Sequence, residues 1–127
     1  MSSDIDRFLS SEVYDLASSA GTFALNARVE KTQLSNILET FESEPNPLSA
    51  IKLTITFIAR QIGRGEIQRD VGKRIIRDLA SIFDRFKESE LRAAARKYLY
   101  LVKWFYDSGY RERINDFKDF ISKYTGT

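Results

Sequence analysis

Apolar residues recur at three- and four-residue steps through most of this chain, and short segments rich in glycine, proline or polar residues separate these stretches. Residues three and four apart share one face of a helix, so the spacing predicts a series of amphipathic helices. The first is predicted to be capped by Asp4 and to end near Gly21. Its inward positions are Ile5, Phe8, Leu9, Val13, Leu16, Ala17 and Ala20.

A second helix is predicted from about Thr32 to the break at residues 45–47, where two prolines interrupt helical geometry. The segment after this break is ambiguous. The alternation of apolar and polar residues over 51–57, with several β-branched side chains, fits a strand. A longer apolar series also fits a helix over 48–62, which would begin after Pro47 and end at Gly63. We favour the helix, because a strand would need a partner and no hairpin signal is nearby.

The second half of the chain predicts three more helices. One covers 66–86, the next is capped by Ser89 and ends at Gly109, and the last contains Ile114, Phe117, Phe120, Ile121 and Tyr124. Most of the connecting segments are short enough for the helices to pack as near-antiparallel neighbours. The predicted fold is therefore all-α, a compact bundle of five to six helices forming a single helical domain over residues 1–127.

Composition narrows the possible chemistry. The chain has 127 residues, of which 43% are hydrophobic, so it can bury a real core. It has neither cysteine nor histidine, which removes thiolate nucleophiles, zinc ribbons and histidine-dependent catalytic sites. The pairs Glu39 with Glu42, and Glu112 with Asp116 and Asp119, are typical of solvated helix surface. We therefore predict no enzyme activity, no cofactor and no metal site.

No apolar stretch is long enough to cross a membrane, and the first residues have neither a basic region nor an apolar run. The expected location is cytoplasmic.

Basic residues concentrate in the middle of the chain. Residues 1–59 contain four basic and eight acidic side chains, whereas residues 60–103 contain twelve basic and six acidic ones. Within this region arginines and lysines recur at four-residue steps, which typically indicates an anionic partner such as a phosphate backbone. A solvated surface neutralised by local acidic residues remains the alternative. The candidate nucleic-acid-binding residues are Lys52, Arg60, Arg64, Arg69, Lys73, Arg77, Arg92 and Arg96.

Aromatic residues are dense between positions 98 and 110. Tyr98 and Phe105 are predicted core residues. Tyr100, Trp104 and Tyr106 cannot all point inward from one helix, so some of them must be exposed. These three are the candidate protein-interface residues, because exposed aromatic side chains often anchor interfaces.

Four segments together resemble the small helical subunit of Csm-type, type III-A CRISPR interference complexes. They are VYDLASSAG at 13–21, EKTQLSNILETF at 30–41, IKLTITFIAR at 51–60 and ARKYLYLVKWFYDSGY at 95–110. In the third segment, Lys52 and Arg60 match basic residues of the family. The predicted helix after Gly109 lies beyond the resemblance. The resemblance also allows a Cmr-type or another archaeal CRISPR small subunit.

The resemblance implies a non-catalytic subunit of an antiviral RNA-guided ribonucleoprotein. Its partners would be the backbone subunits, the large polymerase-like subunit, copies of itself, and the guide and target RNA. A basic face would support the guide–target duplex through phosphate and shape rather than sequence. The alternative is a stand-alone helix-turn-helix DNA-binding regulator, in which the helices around Gly63 to Gly65 present Arg69, Lys73 and Arg74 to a groove.

Overall fold

A computed structural model describes residues 3–126, and over these residues every regular element is helical. The helices are α1 (Ser3–Arg7), a π-helical turn (Phe8–Glu12), α2 (Val13–Asn26), α3 (Lys31–Glu42), α4 (Pro47–Gly63), α5 (Arg69–Arg85), α6 (Glu88–Asp107) and α7 (Phe117–Tyr124). Since α1, the π turn and α2 follow one another without a break, the described chain is a bundle of six helices. The predicted all-α fold class is confirmed.

The π turn keeps the first apolar stripe on one side. Phe8 and Val13 are both buried although they are five residues apart, a spacing that would place them on different faces of a regular α-helix. The backbone N–H of Val13 donates to the carbonyl of Phe8, a bond across five residues that defines a π turn. The extra residue brings both side chains into the same core.

The ambiguous segment after the prolines is helical. Pro47 occupies the first turn of α4, where its missing N–H is tolerated, and the Asn46 side chain accepts a hydrogen bond from the Ser49 N–H at 2.9 Å. Thr54, which favoured a strand, is completely buried and donates its hydroxyl to the Ala50 carbonyl. The longer apolar series therefore outweighs the β-branched residues.

The most extensive helix contact in the bundle is between α2 and α6. Phe8, just before α2, packs against Phe86, just before α6, and Gly21 lies against Val102 and Phe105 further along. The two helices therefore run in the same direction. The other helices surround this pair, and the shared core extends from Ile5 to Phe105.

The predictions place four residues wrongly relative to the helix boundaries. Gly21 does not end the first helix; it is buried inside α2, which continues to Asn26 because the glycine is needed for close packing on α6. Ser89 is not a cap, since α6 begins at Glu88 and the Glu90 carboxylate accepts from the Lys87 N–H instead. Ile114 precedes α7 but is buried all the same. Asp4 likewise lies within α1.

No helix among the described residues is long and apolar enough to span a membrane.

Candidate nucleic-acid interface

Acidic side chains at the beginning of the chain form ion pairs with an arginine that is distant in sequence. The Arg85 guanidinium donates to Asp4 at 2.7 Å and to Glu12 at 2.8 Å. Hydrogen bonding to Arg85 lowers the pKa of both carboxyl groups. A cation of the basic middle region is thus neutralised by acids that lie far away in sequence.

Arg92 and Arg96, two of the predicted RNA-binding residues, are engaged in contacts within the chain. The Arg96 guanidinium donates two hydrogen bonds, of 2.7 and 2.8 Å, to the Glu42 carboxylate. These bonds lower the pKa of Glu42. Arg92 donates to the backbone carbonyls of Glu44 and Pro45. Both arginines fasten α6 to the end of α3 and the following loop, so their donors are engaged within the chain.

Arg69, Lys73 and Arg77 form an exposed row on α5. They lie at four-residue steps on one helix face, opposite the face that buries Ile75 and Leu79. Within the described residues 3–126, none of the three makes an ion pair or a side-chain hydrogen bond. We call these three residues the α5 basic row. Its charges are free to meet an external anion.

The candidate RNA-binding cations on α4 and at its end differ in their surroundings. Lys52 is exposed with its Nζ atom 5.9 Å from the centroid of the Phe83 ring. Arg60 is exposed and donates to the Gln61 side chain at 3.1 Å, and Gln61 in turn donates to the buried Gln33. Arg64 follows α4 as its C-cap and is exposed. None of these cations has an acidic partner among the described residues.

α4 and α5 form an antiparallel hairpin with contact along both helices. Near the turn, a Cβ at Gly72 would lie 2.6 Å from the Ile62 side chain, so the absence of a side chain there permits close approach. At the far end, Ile51 and Lys52 line a cleft with Phe83. A helix-turn-helix unit crosses at about 90–120°, which confines contact to the region of the turn. α4 and α5 therefore pack as an αα-hairpin with contact along their length.

The predicted interface aromatics divide into two kinds. Tyr100 and Trp104, one turn apart on α6, have exposed fractions of 38% and 66%. Tyr106 is half-buried, and its hydroxyl donates to the Val29 carbonyl at 2.6 Å, so it belongs to the internal packing. Tyr106 is thus engaged within the chain, whereas Tyr100 and Trp104 are exposed on α6.

The acidic residues Glu112, Asp116 and Asp119 have structural partners. Asp116 caps α7 by accepting from the Asp119 N–H at 2.8 Å, and Asp119 pairs with Lys123. Glu112 accepts from the Tyr110 hydroxyl, which raises the pKa of that tyrosine to about 12. The described part of the chain contains no group of three acidic side chains placed to hold a metal ion.

Sequence reasoning missed a cavity of about 360 Å³ between α2, α5 and the segment after α6. Two of its lining residues, Arg74 and Arg113, are basic and lie 39 positions apart in the sequence. Their meeting depends on tertiary packing, and no local motif signals it.

The chain matches no protein-family model, no curated protein and no solved structure at a significant level.

Proposed function

We propose that this protein is a non-catalytic small subunit of a type III CRISPR effector complex, supporting the guide RNA–target RNA duplex along its basic face. The observation that carries the proposal is the α5 basic row, three exposed cations without internal partners. Four segments of the chain resemble, in the same order, the small subunit of Csm-type complexes, and this resemblance indicates the biological setting. The partners would be the backbone subunits, the large polymerase-like subunit, copies of this chain and the two RNA strands.

The distribution of paired and free cations supports phosphate contact. If the basic surface served only solubility, acids and bases could be interspersed without regard to location. Here Arg85, Arg92 and Arg96 form ion pairs with acidic residues in the first third of the sequence. The α5 basic row, Arg60 and Arg64 form no such pairs among the described residues and remain available for phosphate contact. A row of cations at four-residue steps costs some helix stability through repulsion, which an anionic partner would relieve.

Replacing Lys73 and Arg77 together by alanine is expected to weaken binding to RNA duplexes of unrelated sequence by similar factors. Each lost phosphate contact reduces counterion release, so the slope of log affinity against log salt should flatten by about 2 for the pair. Fluorescence anisotropy at several salt concentrations measures both quantities. Stability should change by less than about 0.5 kcal/mol, because both side chains are exposed.

The matched control replaces Arg111 and Lys118, two exposed cations of the C-terminal segment, by alanine. It carries the same loss of charge and should retain most of the affinity and the salt slope. Equal losses in the two double variants would show that only net charge matters and would contradict the proposed face. Preference for one DNA sequence would favour the regulator.

Trp104→Ala is expected to leave the fold intact and to weaken assembly. The side chain is 66% exposed, so the free energy of unfolding should change by less than about 0.5 kcal/mol. Removal of an aromatic anchor typically costs 2 kcal/mol or more in a protein interface, or about 30-fold in affinity. Sedimentation of the isolated chain and co-purification with effector subunits measure the loss.

Leu53→Ala is the control for Trp104→Ala. Leu53 is 42% exposed but lies on α4. It should assemble like the unmodified protein. If Trp104→Ala assembles normally as well, the α6 aromatic pair is not an interface.

A further inference from the structure

The cavity between α2, α5 and the segment after α6 is lined by basic, neutral polar and apolar side chains. Its volume of about 360 Å³ lies within the range of small-molecule sites. The lining residues are Ser19, Thr22, Phe23, Asn26, Arg74, Arg113 and Ile114. None of them is acidic, and two of them are arginines. The cavity therefore offers hydrogen-bond donors and positive charge to a ligand.

Arg74 is held rigidly in the wall. Its Nε donates to Asp78 at 3.0 Å, one terminal nitrogen donates to the Ser19 hydroxyl at 3.2 Å, and the other donates to the Leu16 carbonyl at 3.3 Å. A guanidinium has five N–H donors, so two remain beyond these three bonds. The guanidinium plane is fixed before any ligand arrives, which lowers the entropic cost of binding.

Arg113 supplies the net charge. Because the Asp78 carboxylate offsets the charge of Arg74, the positive charge left over at the cavity comes from Arg113. Its side chain makes no ion pair within residues 3–126, and the neighbouring Ile114 is only 2% exposed, which anchors this part of the segment. Phe23, with an exposed fraction of 36%, adds an apolar ring to the same wall.

We propose that this cavity binds a phosphate monoester of mononucleotide size, with the phosphate between Arg113 and Arg74 and the ring of the ligand against Phe23. Arginine suits this task because its N–H groups can pair with two phosphate oxygens at once. Such a ligand has two sources, a free nucleoside monophosphate and the 5′-phosphorylated end of an RNA strand. The inference does not rest on the proposed function, since the α5 basic row faces solvent elsewhere on the helix.

The test is isothermal titration of the full chain with adenosine monophosphate, adenosine and inorganic phosphate, and with a short RNA carrying either a 5′-phosphate or a 5′-hydroxyl. Adenosine monophosphate or the 5′-phosphorylated RNA should bind at least about tenfold more tightly than the matching compound without phosphate. Whichever of the two binds identifies the source. Arg113→Ala should weaken that binding by about tenfold or more.

Arg111→Ala is the matched control, because it removes the same charge two residues away from a side chain outside the cavity. It should leave binding unchanged. Equal affinity in Arg113→Ala and Arg111→Ala would overturn the proposal, as would equal binding of adenosine and its monophosphate. Inorganic phosphate binding as tightly as the nucleotide would overturn the role of Phe23, and no binding of any phosphate compound would overturn the site.

Discussion

Asp78→Ala is expected to destabilise the fold by about 3–5 kcal/mol, the cost of breaking a buried ion pair on one side. The Asp78 carboxylate accepts from the Tyr98 hydroxyl at 2.6 Å and from the Arg74 Nε at 3.0 Å. Burial raises the pKa of Tyr98 well above its usual value, so the hydroxyl stays protonated and keeps donating. Alanine would leave the fully buried Tyr98 hydroxyl without its acceptor and would remove the counter-charge of the partly buried Arg74.

Chemical denaturation of the variant measures the loss, and two comparison variants isolate its cause. Tyr98→Phe deletes only the hydroxyl and should cost about 1 kcal/mol. Asp84→Ala removes an exposed acid from the same helix and should change stability by less than about 0.5 kcal/mol. If Asp78→Ala is as mild as Asp84→Ala, the buried network does not stabilise the bundle.

Gly21→Ala is expected to lower the free energy of unfolding by about 2 kcal/mol. A methyl group there would lie 2.5 Å from the Val102 carbonyl oxygen and 2.7 Å from the Phe105 Cβ, so α2 and α6 would have to separate. Overpacking of this kind typically costs 1–3 kcal/mol, and backbone atoms cannot move aside as a flexible side chain can. The loss should exceed the gain of up to about 1 kcal/mol that alanine brings to a helix.

Gly63→Ala is the control, and it is expected to change the free energy of unfolding in the opposite direction. This glycine ends α4, and a methyl group there would meet nothing within 4 Å. The variant should be stabilised slightly, by at most about 1 kcal/mol, since alanine restricts the unfolded chain. Thermal or denaturant unfolding of the two variants should therefore shift in opposite directions. A shift in the same direction would contradict the packing role of Gly21.

Local patterns were sufficient to predict most of the fold. The all-α class and the existence of each helix follow from periodicity, and the proline at the start of α4 decided between helix and strand. The boundary errors have a physical origin. Gly21 carries the same local signal as a helix-ending glycine, but its role depends on a second helix that passes within contact distance. Ile114 followed the apolar spacing and is buried, although the chain there is not helical.

The candidate nucleic-acid interface was likewise predicted in part from the sequence and decided in part by the tertiary structure. The sequence alone identified the basic middle of the chain, the four-residue spacing of the α5 basic row and the excess of aromatics on α6, because each is a local property of one helix. Only the tertiary structure decided which cations are free. Arg92 and Arg96 have the same spacing as the α5 row, yet they meet Glu42 and the loop after α3, whereas Lys73 meets no acid among the described residues. The cavity at Arg74 and Arg113 likewise exists only through packing, since charge pairing and cavity formation depend on distances in space that spacing along the chain does not determine.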